Sequence, residues 1–437
     1  MKTMNVLYLH THDMGRYNQL YGYAIRTPNF DRVARSGMVF RNAYCAGPTC
    51  SPSRAGLLTG QAPHSAGLFG LANMGFSIAR PKEHLSWFLR EHGFHTALFG
   101  VSHEVPDPKV LGYETTYAPE TGSFAERDMA AAVEAAKYFT QVQKKQPFFC
   151  SVGFLYPHRP FETKLGDLEP ERLVLPCGLL DTPETRLDFA QYIASVEHAD
   201  RCAGIVLDAL KRAGLEKNTM IILTTDHGIA FPGMKCTLYD GGIGVTLAVG
   251  VPGYPLGEVS DALISQIDIY PTLCELLGLQ APPWIQGTSF VPVLKDRRAS
   301  IRREVFSEIN YHVSYAPERC IRTERFKYIC RYYDPALLIR TNVDDGPSKA
   351  KRLEVLGRKT YAFREEFYDL MLDPTEHYNC IDHQDYTQVC EDLRKRLKDW
   401  MEKTEDPLLK GDIPLPENAI TLPRDRKSAI EREEMTW

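Results

Sequence analysis

A cysteine at the mouth of a short predicted helix is the residue whose position constrains the chemistry most. Pro52 suits the first helical position, with Ser51 as the predicted N-cap and Gly60 as the stop. A positive helix end lowers the pKa of a thiol just outside it, and Arg54 adds a fixed positive charge about one turn further on. The segment therefore predicts an anion-binding site with Cys50 at its centre.

Histidines and aspartates follow several predicted buried strands, at the point where each strand ends. Because the carboxyl ends of parallel strands meet at one edge of a sheet, these residues should converge there. A single pair of this kind more often belongs to an ordinary turn. Four sets in the same topological position indicate a site for a metal or for acid–base catalysis. The four sets are His12 with Asp13, His103, His158, and Asp226 with His227.

The elements that would position these residues alternate between strand and helix through the first 300 residues. This alternation predicts an α/β fold with a largely parallel sheet covered by helices. The predicted strands are 5–10, 38–44, 96–100, 148–154, 219–225 and 247–250. The predicted helices include 83–91, 125–142, 267–278 and a long one over 185–213 that is broken near Gly204.

The chain changes character after a proline-rich stretch at 281–284 and a charged run at 295–298. Short strands and a helix then predict a small antiparallel sheet packed on that helix, followed by an extended arm from Pro407. We therefore predict a catalytic α/β domain over 1–300 and a C-terminal subdomain over 301–437. The predicted C-terminal elements are strands 304–307, 319–322, 326–330 and 366–370 and a helix over 385–403.

The composition excludes several classes of function. The 437 residues carry a formal net charge of -5 with no basic stripe, so nucleic acid is not an expected partner. No segment approaches 18 consecutive apolar residues, and no leader is recognisable, so no membrane association and a cytoplasmic location are predicted. The eleven cysteines are dispersed without metal-binding spacing, which favours reduced thiols.

The segment Cys50-Ser51-Pro52-Ser53-Arg54, followed by Thr59-Gly60, resembles the signature of the type I sulfatases of the alkaline phosphatase superfamily. The resemblance extends to a closing strand and turn at 366–376, and within the family it points to the heparan N-sulfatase (sulfamidase) branch. It implies an alkaline-phosphatase-like fold, in which helices flank a large mixed, mostly parallel sheet. It also implies a sulfatase that hydrolyses a sulfate ester or sulfamate of a small molecule or oligosaccharide.

The resemblance implies a role for each matching residue. A maturation enzyme would oxidise Cys50 to formylglycine, whose hydrate supplies the nucleophilic oxygen, and Arg54 would orient it. Lys235 would contact the sulfate, His103 would lie beside the hydrate, and His158 would protonate the leaving group. The predicted ligands of a divalent metal are Asp13, Asp226, His227, His12 and Cys50.

Three positions depart from the family's pattern. His12 stands where the family has the first of two aspartates, Val101 replaces a lysine, and Gly244 replaces an arginine. Hard oxygen ligands favour calcium, which is the predicted metal, whereas two imidazoles would move the preference towards manganese or zinc.

Two other functions stay open from the sequence. A phosphonate or phosphate ester hydrolase on the same scaffold is favoured somewhat by the two imidazoles and by Val101. A non-catalytic binder of sulfated ligands would have little need for so many acid–base residues. The leaving group is not specified; the candidate pocket residues are Phe69, Asn73, Tyr311 and His312.

Overall fold

The computed structural model describes residues 4–142, 146–360 and 362–429, and two β-sheets organise them. The larger sheet has eight strands and the smaller has four antiparallel strands, which confirms the predicted fold class. The larger sheet contains β1 (Asn5–Thr11), β2 (Met38–Tyr44), β3 (His95–Gly100), β4 (Thr115–Tyr117), β5 (Phe148–Gly153), β6 (Thr219–Thr225), β7 (Leu247–Gly250) and β8 (Glu258–Ser265). The smaller contains β9 (Glu304–Tyr311), β10 (Tyr315–Thr323), β11 (Phe326–Arg331) and β12 (Glu365–Asp369).

Helices cover both faces of the larger sheet and one face of the smaller. Among the described residues, none of them combines the length and apolar character that crossing a bilayer requires. They are α1 (Pro28–Arg35), α2 (Cys50–Thr59), α3 (Pro63–Ala66), α4 (Leu85–Glu91), α5 (Phe124–Gln141), α6 (Pro183–Arg212), α7 (Asp240–Ile243), α8 (Ile269–Leu277), α9 (Val291–Lys295), α10 (Pro347–Leu356) and α11 (Thr387–Lys403).

The strand order of the larger sheet is β4-β3-β5-β1-β6-β7-β2-β8. Every residue of β1 is buried, as expected of a central strand that is covered on both faces. Strands β3, β5, β1 and β6 are parallel neighbours, whereas β7 runs antiparallel to β6 and β2. The carboxyl ends of these four parallel strands therefore lie side by side at one edge of the sheet.

The start of α2 differs from the prediction. The helix begins at Cys50 with Thr49 in the N-cap position, so Cys50 lies inside the first turn and not before it. The Ser51 hydroxyl, predicted to cap this helix, instead accepts a hydrogen bond from the backbone N–H of Ala72 at 2.9 Å. Gly60 ends the helix with a left-handed φ of 68°, as predicted.

The predicted break in the long helix near Gly204 is wrong. Helix α6 runs for 30 residues through this position. A Cβ atom at Gly204 would lie 2.7 Å from the Asn29 side chain, so the glycine permits close approach of α1 to α6. The nearby Asp200 carboxylate accepts hydrogen bonds from the backbone N–H groups of Asn29 and Phe30, which secures the first turn of α1.

The smaller sheet packs on α11, as the sequence predicts. The rings of Phe306 and Trp400 stack with centroids 4.8 Å apart at this contact. The chain after α11 makes a 3-10 turn at Pro407–Lys410 and then continues without regular structure to residue 429. Backbone N–H groups of Ile420 and Leu422 donate to the carbonyls of Met74 and Val313, so this arm lies against both halves of the chain. The domain boundary at residue 300 stays a prediction.

Candidate active site

All the predicted site residues lie in one cluster. It forms where the carboxyl ends of the four parallel strands meet the start of α2 and the loop before α7. Strands β1, β3, β5 and β6 deliver the histidines and aspartates, α2 delivers the cysteine and the arginine, and the loop delivers the lysine. The residues of this cluster are His12, Asp13, Cys50, Arg54, His103, His158, Asp226, His227 and Lys235.

Two buried carboxylates lie at the centre of the cluster. The backbone N–H of Asp13 donates to Asp226 Oδ1 at 2.8 Å, which holds the ends of β1 and β6 together. Asp13 has a left-handed φ of 48°, an uncommon conformation for a residue other than glycine, and this turns its side chain into the site. Each carboxylate also has a cationic partner, Arg54 for Asp226 and Lys235 for Asp13.

Arg54 is buried and held from three directions. Its Nη2 donates to Asp226 Oδ2 at 3.0 Å and to the Thr11 carbonyl at 3.1 Å, and its Nη1 lies 2.7 Å from His10 Nδ1. Burial, and then the charge of Arg54, lower the pKa of His10 well below its usual range, so a neutral His10 accepts the hydrogen bond. Sequence reasoning missed His10, although a histidine within an apolar, fully buried strand was a signal.

His227 directs one ring nitrogen at the two carboxylates. Its Nδ1 donates to the Gly228 carbonyl at 2.9 Å, which leaves Nε2 pointing into the cluster. There Nε2 lies 3.4 Å from Asp13 Oδ1, 3.7 Å from Asp226 Oδ2 and 3.4 Å from Cys50 Sγ. Lone pairs that face one another at these distances are typical of a site that binds a cation.

His12 supplies a further candidate ligand. Its Nδ1 lies 3.1 Å from Asp226 Oδ2, and its buried Nε2 has no hydrogen-bond partner within the described part of the chain. One donor atom each from His12, Asp13, Cys50 and Asp226 lies within 4.8 Å of the others. One imidazole, two carboxylates and the side chain at position 50 thus lie close enough together to hold a divalent cation, and a second imidazole adjoins them with His227 Nε2 3.4 Å from Asp13 Oδ1.

The predicted low pKa of the Cys50 thiol is wrong. The residue is 1% exposed, and burial raises its pKa well above the usual range, despite the opposing charges of Lys235 and Arg54. The helix end and the arginine were local signals, whereas burial depends on the packed fold. In this environment Cys50 is a neutral thiol and not an activated thiolate.

Lys235 bridges two carboxylates. Its Nζ lies 2.9 Å from Asp13 Oδ2, 3.3 Å from Asp344 Oδ2 and 3.5 Å from His158 Nε2. Burial alone would lower the pKa of Lys235, but Asp13 and Asp344 raise it well above its usual range, so the lysine is charged. Sequence reasoning missed Asp344, because it precedes α10 in a loop and follows no strand of the larger sheet.

The two catalytic histidine candidates have different surroundings. His103 is surrounded by the site, and burial first, with Arg54 next, lowers its pKa to about 3. His158 has 28% of its side chain exposed, and its Nδ1 donates to the Arg159 carbonyl at 2.6 Å. His158 is therefore the histidine that an entering substrate can reach.

Four residues were predicted to form the leaving-group pocket, and they have different surroundings. His312 is buried, and the charges of Lys235 and Asp344 both act on its pKa. Tyr311 packs beside Phe76 with ring centroids 5.2 Å apart and donates its hydroxyl to the Ile413 carbonyl. Phe69 packs against the core and Asn73 is exposed. Burial first, with the charge of Lys235 next, lowers the pKa of His312, so of these four residues it is the one on which the cluster acts.

A cavity of about 930 Å³ adjoins the cluster. Segments 177–180, 232–241 and 335–343 contribute to its wall, including Lys235, but neither Cys50 nor His158 lines it. The cavity therefore borders the cluster through Lys235 and does not contain the reactive sulfur.

These features define a hydrolase site for esters of tetrahedral oxyanions, because a cation cradle, two fixed positive charges and accessible acid–base groups surround one buried reactive side chain. Comparison with known proteins gives the family. The model described as "Sulfatase" matches residues 4–279, and that described as "N-sulphoglucosamine sulphohydrolase, C-terminal" matches residues 234–354. The chain belongs to the sulfatase family, and its predicted class, a sulfuric ester hydrolase, is confirmed.

Individual relatives agree with this assignment. Human N-sulphoglucosamine sulphohydrolase is 30% identical over 90% of this chain and 88% of its own length. A structure solved with its substrate D-glucosamine-2-N,6-O-disulfate has a TM-score of 0.71 at 21% identity, covering 93% of this chain and 99% of that chain. The phosphonate monoester hydrolase of Agrobacterium radiobacter has a TM-score of 0.70 at 21% identity, covering 95% and 99%. The two solved structures show that the fold is shared.

Proposed function

We propose that this protein hydrolyses a sulfate ester or sulfamate of a sugar through a formylglycine derived from Cys50. The observation that carries the proposal is the position of Cys50 Sγ, 3.4 Å from His227 Nε2 and 3.9 Å from Asp13 Oδ1, among the candidate metal ligands. The names of the relatives support a sulfated sugar as substrate, since they include an N-sulphoglucosamine sulphohydrolase and a protein bound to a glucosamine disulfate.

Two groups that the structure does not contain would take part. A formylglycine at position 50 would supply, as its hydrate, one hydroxyl for attack on sulfur and a second whose ionisation lets sulfate depart. A divalent cation held by Asp13, Asp226, His12 and His227 would neutralise negative charge on the sulfuryl oxygens. Calcium is the metal that the family resemblance implies, but two nitrogen donors favour manganese or zinc here.

The chain's own residues perform the remaining tasks. Arg54, fixed by Asp226 and the Thr11 carbonyl, and Lys235 place two positive charges beside position 50, where charge on the sulfuryl group must be stabilised. The Nδ1 of His158 donates to the Arg159 carbonyl, which directs Nε2 into the site; only the doubly protonated imidazolium would carry a proton on Nε2 for the leaving atom. His103 lies beside position 50 and His12, and because burial lowers its pKa to about 3 it is neutral there and can accept a hydrogen bond.

Maturation of Cys50 would require a formylglycine-generating enzyme. Because Cys50 is 1% exposed in the folded chain, that enzyme would have to act on the segment before folding buries it. All eleven cysteines lie in the described residues and are free, which supports a reducing, cytoplasmic compartment.

The experiment is a comparison of substrates on protein whose formylglycine content is known from mass spectrometry. Sulfate release is measured from glucosamine carrying N-sulfate or 6-O-sulfate, and from 4-nitrophenyl sulfate. The proposal expects turnover of at least one sulfated sugar with kcat/KM above that for the aryl sulfate. Absence of sulfate release from every substrate by fully converted protein would overturn it.

A phosphonate or phosphate ester hydrolase is the second candidate, favoured by the imidazoles of His12 and His227 at the metal site. Matched aryl sulfate and aryl phosphonate substrates distinguish the two, since a higher kcat/KM on phosphorus would select the second.

The His158→Ala variant distinguishes an enzyme from a non-catalytic binder. If the protein is an enzyme, the substitution should abolish turnover and preserve binding of a sulfated sugar. If it is a binder, the wild type itself would show no turnover.

A further inference from the structure

Asp344 is an acidic residue beside Lys235, one of the fixed positive charges that attract anions to the site. The Asp344 carboxylate is paired with Lys235, whose Nζ lies 3.3 Å from Oδ2 and donates to Oδ1 at 3.5 Å, but Oδ2 is buried and accepts no hydrogen bond of its own among the described residues. Lys235 and His158 hold the pKa of Asp344 below its usual range against the effect of burial, so the group is a carboxylate. A buried carboxylate oxygen without a hydrogen bond is costly unless a ligand supplies the donor.

The loop that carries Asp344 is fixed to the loop that carries His158. Asp188 on α6 accepts two hydrogen bonds from Arg159, each at 2.7 Å, and its Oδ2 also accepts one from the Ser348 hydroxyl at 2.5 Å. Lys349 Nζ, on α10, donates to the Val343 carbonyl in this loop at 2.9 Å. Asp344 is therefore held in place relative to His158 before any ligand binds.

The turn that carries His312 is fixed to the same loop. Asn342 Oδ1 accepts hydrogen bonds from the backbone N–H groups of Val313 and Ser314 at 3.1 and 2.8 Å. His312 Nδ1 is buried and has no hydrogen-bond partner within the described ranges. Burial, and then Lys235, lower the pKa of His312 well below its usual range, so the ring is neutral. A second buried polar atom without a hydrogen bond thus belongs to a turn that is tied to the loop of Asp344.

Asp344 is not needed to neutralise the charge of Lys235, and it is not a candidate metal ligand. Lys235 already has a closer carboxylate in Asp13, at 2.9 Å. Asp344 belongs to none of the clusters of candidate metal ligands found among the described residues. It lies instead beside Lys235, whose Nζ is also 3.5 Å from Nε2 of His158, the histidine predicted to protonate the leaving group.

We propose that Asp344 is a specificity-determining residue that accepts a hydrogen bond from the leaving group, with His312 on the turn tied to the same loop. The preferred leaving group is a sugar that presents a hydroxyl or amino donor to Asp344. A leaving group with a carboxylate at this position is repelled by Asp344. The proposal rests on the proposed function. A site built to pair with a donor discriminates strongly against analogues that lack it, because its own polar group is then left unpaired.

The test compares kcat/KM of the wild type and Asp344→Asn on three substrates: glucosamine 6-sulfate, glucose 6-sulfate and 4-nitrophenyl sulfate. We expect a loss of at least about tenfold for the sugars, mainly through KM, and less than about threefold for the aryl sulfate. A larger loss on glucosamine 6-sulfate identifies an ammonium donor, and equal losses on both sugars identify a hydroxyl. An equal loss on all three substrates, or no loss on any, would overturn the proposal.

Asp345→Asn is the matched control, because it removes the same charge from the next residue, which pairs with Lys349 and not with Lys235. It should change kcat/KM less than threefold on every substrate. Calorimetric binding of free glucosamine and free glucuronate to the wild type tests the proposal without relying on a variant. Tighter binding of glucosamine supports it, and tighter binding of glucuronate overturns it. Failure of the wild type to release sulfate would refute the proposed function but leave this binding comparison valid.

Discussion

The ammonium group of Lys235 lies 2.9 Å from Asp13 Oδ2, while the other oxygen of that carboxylate, Oδ1, lies 3.4 Å from His227 Nε2. Asp13 is thus shared between a fixed positive charge and the candidate metal site. Arg54 and Asp226 repeat this relationship at the end of β6. The two pairs place positive charge on opposite carboxylates around Cys50, as stabilisation of an anionic sulfuryl group requires.

Removal of the Lys235 charge should impair catalysis in the protein that still folds. Lys235→Met retains much of the buried stem, and we expect kcat/KM for a sulfated sugar to fall by about 10²- to 10³-fold. Steady-state kinetics measures this, with Lys164→Met as an exposed control. A decrease below threefold would show that Lys235 contributes no charge stabilisation.

The metal preference should depend on His12. We expect the wild type, after removal of metal and dialysis against equal manganese and calcium, to retain more manganese, because imidazole nitrogen binds the softer ion better. His12→Asp replaces this donor by oxygen and should shift the retained ratio towards calcium by at least about tenfold. Inductively coupled plasma mass spectrometry gives the ratio, and an identical ratio in both proteins would contradict the role of His12.

Gly153 should be required for the orientation of Arg54. A Cβ atom at this position would overlap the ring of His10, which lies between Ser151 Oγ at 3.1 Å and Arg54 Nη1 at 2.7 Å. We expect Gly153→Ala to displace His10 and lower kcat/KM by about tenfold or more, since misplacement of a catalytic group is costly. Circular dichroism checks that the variant folds, and unchanged kinetics in a folded variant would refute the argument.

Asp128 should make stability depend on pH. Its carboxyl accepts hydrogen bonds from the backbone N–H groups of Leu155 and Tyr156, in the loop that leads to His158, and burial raises its pKa from 3.8 to about 7. Between these values the folded chain binds a proton that the unfolded chain has lost. The contribution of Asp128 therefore favours folding at acid pH and is lost as pH rises towards 7.

Asp128→Asn should remove this contribution. The difference in unfolding free energy between wild type and variant should decrease as pH rises from 4.5 to 7, by up to about 1.4 kcal/mol per pH unit, and then stay constant. Urea unfolding at several pH values measures the difference. A difference that is independent of pH would show that Asp128 is ionised throughout.

The sequence predicted those features that depend on local patterns. Apolar runs followed at once by polar residues located β1 and β6 and the residues at their ends, and the Cys50 segment located α2 and its glycine stop. Because all of these residues occur at equivalent strand ends, their convergence followed from the parallel topology.

Features that depend on contacts distant in the chain were not predictable in this way. Gly204 was read as a helix break because its partner, Asn29, lies far away in the sequence. The pKa of Cys50 rises through burial, which no local pattern reports. Asp344 reaches Lys235 from a loop more than 100 residues further along, so only the packing of that loop against α6 reveals it.

The central claim is tested most directly by the rate of sulfate release as a function of formylglycine content at position 50. Expression with and without a formylglycine-generating enzyme yields preparations whose converted fraction is measured by mass spectrometry of the Cys50 peptide. We expect the rate of sulfate release from a sulfated glucosamine to rise in proportion to this fraction and to be absent from Cys50→Ala. Equal rates from protein that carries only the thiol would contradict the account.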